Sequence, residues 1–362
     1  MTKAEVRAEA ERLFAAFLSA GAEAVEADIL LPADTLLDLY GEDIRARAYV
    51  TQDPLRGEMM LRPDFTVPVV QAHMAHGADP ARYAYMGEVF RKQDHLLPRA
   101  SEYLQVGFEV FDRTAPEQAD AEVFALLANL LSPLNLRPAT GDMAILLAAI
   151  RGLETTPTRI SALLRHVWRP KRFRHLLDRY AGRIGPHPAR IRLLKALEAG
   201  KLPKVGPHIG LRSAQEIAAR IHALADDADT APIPAKQVGL LEDLMTLSAP
   251  APAALERLRD LAVDLPHITD AVEVLAARLS ALRARGIDTD RLPFETGHGR
   301  VALEYYDGFV FSFHAADPAL PPVANGGRYD ALTRVLGQGR SIPAVGGVVR
   351  PHLVAGLGGL SC

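Results

Sequence analysis

The chain of 362 residues is 49% hydrophobic and 23% charged, a globular composition with length for one large core or two smaller ones. It has no run of about 18 or more uncharged apolar residues, and it opens on the charged amphipathic stretch MTKAEVRAEAERLF rather than a secretory signal, so a soluble, cytoplasmic protein with no membrane partner is expected. The single cysteine, Cys362, excludes an internal disulfide and a cysteine-based zinc site, and a net charge of −3 lacks the basic excess of a domain that grips a nucleic-acid backbone.

Residues 3 to 20 set Val6, Leu13, Phe14, Phe17 and Leu18 at helical spacing with Gly21 as the stop, which predicts an amphipathic helix. From about 25 to 112 the pattern shortens to AYVTQD, EMMLRPD, YAYMGEVFRK and EYLQVGFEVFD, separated by turn-forming pairs such as Asp53-Pro54 and Arg56-Gly57. That predicts an antiparallel sheet. PEQADAEVFALLANLL, residues 116 to 131, predicts a helix packed on the sheet, with Glu117, Asp120 and Glu122 suited to the positive end of its dipole. Residues 141 to 290 carry Leu- and Ala-rich helical periodicity broken by Pro157, Pro170, Pro186, Pro188, Pro203 and Pro207 and by an Ala/Pro stretch at 248 to 252. The strand pattern returns in RVALEYYDGFVFSFH, residues 300 to 314, followed by Asn325-Gly326-Gly327, a helix from Tyr329 and the glycine-rich IPAVGGVVRPHL. The predicted fold class is α+β: a sheet flanked by helices over 1–135 and 290–362, interrupted by a helical insertion over 141–290. No internal repeat is present.

Four separated segments carry the chemistry: LRPDFT at 61 to 66, MGEVFRKQDHLLPRASEYLQVGFEVF at 86 to 111, LEYYDGFVF at 303 to 311, and NGGRYDALTRVLGQGRSIPAVGG at 325 to 347. On an extended strand the i, i+4 spacing of Gln105 and Glu109 puts both side chains on one face, where they can address two ends of one small ligand. The glycines at 326, 327, 346 and 347 form no Walker or Rossmann pattern and read as tight turns and close backbone packing. His73, His76, His95, His166 and His175 show no metal-ligand spacing, so no metal is assigned. HVWRPKRFRH, residues 166 to 175, is a basic and aromatic cluster that reads as a solvated helical face or a contact with RNA or protein.

In order and spacing the four segments resemble the catalytic core of class II aminoacyl-tRNA synthetases of the histidyl type. The resemblance implies a class II synthetase-like fold and a histidine pocket. Asp64 and Thr66 would hold the α-ammonium, Gln105 and Glu109 would match the histidine-contacting pair, and Arg91 would complete the polar set. Tyr305 and Tyr306 would be the counterparts of a tyrosine that meets the imidazole, with strand alternation turning only one of them inward. Asp64 replaces the usual glutamate and Phe65 the usual glycine.

Several positions depart from the enzyme pattern. Gln93 stands where a glutamate reads adenine, Leu353 where an arginine meets the triphosphate, Val301 beside Arg300 where the histidine-family arginine belongs, and Ser101, with Arg99 nearby, where a loop arginine is expected. Arg350 lies three residues early, nearly one helical turn. Adenylation depends on positioned cations, so its loss is expected and no catalytic residue or cofactor is assigned. The matched segments end about ten residues before the C-terminus, so no anticodon-binding domain and no tRNA partner are expected, since a small domain needs at least about 40 to 50 residues.

Synthetase paralogues of this cation-depleted kind resemble the regulatory subunits of ATP phosphoribosyltransferase. That resemblance implies L-histidine as a feedback ligand, a short-form catalytic subunit as partner, and a homodimer within a hetero-oligomer, the opening helix and ADILLP resembling the dimer-forming motif. The alternatives are an active histidyl-tRNA synthetase-like ligase and a stand-alone histidine-binding protein.

Overall fold

The computed structural model describes residues 2–34, 48–93, 100–201, 213–300 and 305–358. Of the residues named above, His95, Arg99, Pro203, Pro207, Val301 and Cys362 lie outside these. The chain forms two units, one of Met1–Ala148 with Leu244–Cys362 and one of Ala149–Asp243.

Helix α1, Lys3–Ser19, starts on a capping box in which Thr2 Oγ1 accepts from Glu5 N and the Glu5 carboxylate accepts from Thr2 N. It buries Leu13 and Phe17, and the Phe17 ring meets Phe108 at 5.5 Å between centroids. The chain continues through β1 (Glu23–Ala24), β2 (Leu30–Pro32), β3 (Val50–Asp53), β4 (Gly57–Leu61), α2 (Thr66–His76), β5 (Ala81–Phe90), β6 (Glu102–Phe111), α3 (Pro116–Leu130), β7 (Arg137–Asp142) and α4 (Met143–Arg151). Helices α5 (Pro157–His166), α6 (Pro170–Tyr180), α7 (Pro188–Glu198), α8 (Ala214–Asp229) and α9 (Ala235–Thr246) follow. The last part holds β8 (Ser248–Pro250), α10 (Ala251–Asp264), α11 (Thr269–Ala284), β9 (Pro293–Glu295), β10 (Phe309–His314), β11 (Ala324–Arg328), α12 (Asp330–Leu336), β12 (Ala344–Val349) and α13 (Pro351–Gly356).

Among the described residues nine strands form one sheet in the order β1-β5-β6-β12-β11-β10-β7-β9-β8, and β2-β4-β3 form a small second one. The large sheet is antiparallel except at two short pairings, β1 with β5 and β7 with β9, so it is mixed rather than purely antiparallel. Of the strand predicted over 300 to 314, residues 301–304 lie outside the described ones, 305–308 are not strand, and β10 begins at Phe309. Ahead of it the Asp307 carboxylate accepts from Asp330 N at 2.9 Å and Ala331 N at 2.8 Å, which ties this stretch to the start of α12.

The predicted insertion is longer than the second unit. Gly141 and Asp142 belong to β7, and α10 and α11 belong to the sheet-bearing unit. A buried charge network explains why. Arg278 of α11, 1% exposed, donates through Nε to Asp120 of α3 at 2.7 Å and through Nη1 to Asp142 at 2.6 Å. Arg328 at the end of β11 reaches the other Asp120 oxygen at 2.7 Å and Asp330 at 3.1 Å. By itself, the Ala149–Asp243 unit buries Leu163, Val167, Phe173 and Leu177, and in it Arg159 pairs with Asp227 and donates to the carbonyls of Thr230 and Ala231.

Replacing Arg278 by alanine leaves the buried Asp142 carboxylate without its cation and Asp120 with Arg328 alone. The expected outcome is a loss of about 3 to 5 kcal/mol of stability, read from the midpoint of urea unfolding. A shift below about 1 kcal/mol would mean that the network is replaceable by repacking.

Candidate functional site

Strand β6 alternates its side chains, so Gln105 and Glu109 share a face with Gly107 between them. A Cβ on Gly107 would stand 2.2 Å from the Tyr85 hydroxyl. Its absence lets the Tyr85 ring of β5 lie across the strand and donate to Glu109 Oε1 at 3.1 Å. On the other side Gly346 of β12 is the ladder partner of Glu109, and a Cβ there would fall 1.4 Å from Glu109 Oε2. Gly326, Gly327, Gly346 and Gly347 thus lie within strands β11 and β12 rather than in turns, and the close packing expected of them is their role. Glu109 also accepts from Thr66 Oγ1 at 3.2 Å and from Tyr329 OH at 2.6 Å. Burial drives its carboxyl up to about 7, against the opposing pull of the three hydroxyls.

In front of Glu109 opens a cavity of about 470 Å³ whose wall includes Asp64, Thr66, Arg91, Gln105, Tyr305 and Tyr306. Six of the seven site residues predicted from sequence therefore line one cavity. Glu109 is the exception and lies behind it, joined to the cavity by a relay in which Tyr305 OH donates to Thr66 Oγ1 at 3.4 Å and Thr66 donates to Glu109.

Asp64, 5% exposed, lies 3.9 Å from the Arg91 guanidinium, whose Nε donates to the Pro63 carbonyl at 2.7 Å. The Gln105 side-chain oxygen is buried and accepts no hydrogen bond among the described residues, an arrangement that favours a ligand bringing an N–H donor. Arg62 has a different place. It donates to the Glu88 and Ala27 carbonyls and lies over the Phe65 ring, which in turn stacks on Tyr85 at 4.4 Å. Phe65 thereby fills the position of the usual glycine as part of the wall's support.

Both tyrosines line the cavity, contrary to the expectation that one faces away. Residues 305 and 306 precede β10, so strand alternation does not govern them. Their rings meet edge to face at 4.8 Å.

Sequence reading did not assign a second group of residues that line the cavity. Ser312 Oγ lies 3.0 Å from His298 Nε2 and 2.7 Å from His314 Nε2, and Asn325 and Arg350 line the same cavity. Burial and the neighbouring His314 push the His298 ring down to about 4, so it is neutral near pH 7. The i, i+2 spacing of Ser312 and His314 on a strand was the available signal. Arg350 lines the cavity from its position before α13, held by the Pro322 carbonyl, and needs no shift of register to get there. Arg300 instead reaches Met245 Sδ at 3.7 Å, and Gln93 donates to the Arg91 carbonyl at 3.2 Å.

Glu109 titrates above its ordinary value in the folded chain, so the folded state holds its proton more tightly than the unfolded state. Its stabilising contribution is complete below about pH 4.5 and is lost as pH rises through about 7. Relative to Glu109→Gln, the wild type is expected to lose about 3 kcal/mol over this range, measured by urea unfolding at a series of pH values. Parallel profiles would exclude a titrating Glu109.

A profile of the family described as Histidyl-tRNA synthetase matches residues 2–229 and 211–353. The chain is 32% identical over 351 residues to an ATP phosphoribosyltransferase regulatory subunit of Brucella anthropi, covering 90% of each chain. It is 32% identical over 361 residues to the same-named protein of Mesorhizobium japonicum, covering 94% of each. Among solved structures it resembles an ATP phosphoribosyltransferase regulatory subunit/histidyl-tRNA synthetase from Bacillus halodurans, with a TM-score of 0.67 at 19% identity over 98% of this chain and 79% of that one. It also resembles histidyl-tRNA synthetase from Nostoc, with a TM-score of 0.63 at 19% identity over 97% and 72%. These two likenesses establish the class II synthetase-like fold. No helix among the described residues is long and apolar enough to cross a membrane.

Proposed function

This chain belongs to the histidyl-tRNA synthetase family, and on that premise we propose that it is a non-catalytic regulatory subunit of ATP phosphoribosyltransferase. In this reading it binds L-histidine as the feedback signal and activates a short catalytic subunit in the first step of histidine biosynthesis, in the cytoplasm, as a homodimer within a hetero-oligomer.

The observation that carries the reading is the polar cavity in front of Glu109, taken with relatives that match 90% and 94% of the chain and bear the regulatory name. Asp64 and Thr66 suit an α-ammonium, Arg91 a carboxylate, and Gln105 with Tyr305 and Tyr306 the ring nitrogens, so each polar group of histidine has a partner of opposite character. Glu109 acts through Thr66, holding its hydroxyl in place. Histidine must bind the inhibited and active states of the complex with different affinity, because equal affinity shifts nothing.

Loss of adenylation is supported by the side chains at the phosphate-facing positions. Leu353 is buried and apolar, Arg300 is turned to Met245, and Gln93 has lost the carboxylate. One observation favours the ligase alternative: Arg350 remains a cation on the cavity wall.

Three assays separate the readings. Calorimetric titration should show histidine binding that Gln105→Ala weakens roughly tenfold or more, the loss expected for one buried polar partner. Phosphoribosyltransferase activity of a short catalytic chain should rise on adding this protein and fall again with histidine. ATP–pyrophosphate exchange should stay at background, and histidine-dependent exchange would replace the regulatory reading with the ligase.

A further inference from the structure

Helix α12 begins without a cap of its own. Its N-cap residue is Tyr329, whose side chain makes no bond to the helix amides and whose hydroxyl instead donates to Glu109 at 2.6 Å. The first amides of a helix have no partner within it and need an acceptor from elsewhere. Asp307 supplies that acceptor from a distant part of the chain, its two carboxylate oxygens accepting from Asp330 N at 2.9 Å and Ala331 N at 2.8 Å. With both oxygens engaged, the carboxylate is fixed in position and in rotation.

The backbone at this point is anchored as well. Asp307 N donates to the Arg328 carbonyl at 3.0 Å, and the Gly308 carbonyl accepts from Met143 N at 2.8 Å. Gly308 permits the close approach, since a Cβ there would stand 3.0 Å from Arg328 Cδ. Tyr305 and Tyr306 come directly before this anchor. Tyr306, 4% exposed, lays its ring against Gly327, where a Cβ would stand 2.8 Å from Tyr306 Cδ1. The Tyr305 ring meets the Tyr329 ring edge to face at 6.1 Å. Both tyrosines line the cavity, and Asp307 lies outside its lining.

On the histidine reading of the cavity, we propose that Asp307 is a positioning residue for the ligand. By clamping the chain at residue 307 to the first turn of α12, it sets the hydroxyls of Tyr305 and Tyr306 relative to Thr66 and Glu109, and histidine affinity depends on it without contact between the two. The same turn of α12 is tied to Glu109 through Tyr329, and Tyr305 OH reaches Glu109 through Thr66. Both routes end on one carboxylate, so releasing Asp307 moves the tyrosines against a support that stays in place. Groups that recognise a ligand work only when held to within about 0.5 Å. An aspartate that merely capped α12 would make the same bonds. What separates the two roles is whether its effect on affinity passes through the tyrosines.

Calorimetric titration of L-histidine into the full chain tests this as a double-mutant cycle. Asp307→Ala should weaken binding at least about fivefold, and Asp307→Asn, which keeps one acceptor oxygen, should weaken it less. In the background Tyr305→Phe/Tyr306→Phe, adding Asp307→Ala should change affinity less than about twofold, because the hydroxyls it places are gone. The same factor in both backgrounds would overturn the proposal and leave Asp307 as a cap alone. Unchanged affinity in Asp307→Ala would overturn it too. Urea unfolding verifies that each variant is folded, and should Asp307→Ala not fold, the cycle is run with Asp307→Asn. A wild type that binds no histidine would sink the histidine reading, and hydrogen exchange then decides on the clamp. Protection of the Met143 amide, which reports the place of Gly308, should fall in Asp307→Asn while that of the β12 amides stays as in the wild type. Equal protection of Met143 would overturn the clamp.

Discussion

Two arginines and their buried aspartates hold the sheet-bearing unit together. Arg278 bridges Asp120 on α3 and Asp142 at the end of β7, and Arg328 bridges Asp120 and Asp330 at the start of α12. These residues are far apart in the chain, so their pairing joins the part before the insertion to the part after it. Charges buried this deeply are tolerated only when each is matched. One more carboxylate, Asp307, sits at the same junction, and burial followed by the nearby charge of Asp330 pushes it up to about 7. It is held there by the first amides of α12, and it immediately follows the two tyrosines of the cavity wall. The network that closes the fold therefore also sets where Tyr305 and Tyr306 stand.

The cavity depends on space as much as on polarity. Glu109 can be buried in a crowded sheet because residues 107 and 346 lack a Cβ, and it can stay there because Thr66, Tyr85 and Tyr329 supply three hydroxyl donors. A carboxylate so enclosed is a support for the wall, and its influence on a ligand passes through Thr66 and Tyr305. The lining is mixed in character: Asp64 and Gln105 share it with the His298 and His314 imidazoles, a serine and Arg350.

The candidate residues came from the likeness of four segments to a known family, and six of the seven line one cavity. What misled was the assumption that residues 305 and 306 lie in a strand, which turned one tyrosine away. The serine and histidine part of the lining escaped notice since Ser312, His314 and His298 come from a strand and a separate turn, and no local pattern announces that they converge.

The sequence by itself determined the α+β class, the helical character of the middle of the chain and the i, i+4 facing of Gln105 and Glu109, because hydrophobic period and strand alternation are local properties. Only the tertiary structure decided that the middle unit spans Ala149–Asp243, that Glu109 stands behind Thr66 rather than on the wall, and that Arg350 lines the cavity. Those outcomes rest on pairings between distant residues and on the room left by missing side chains. Neither is written in the order of neighbouring residues.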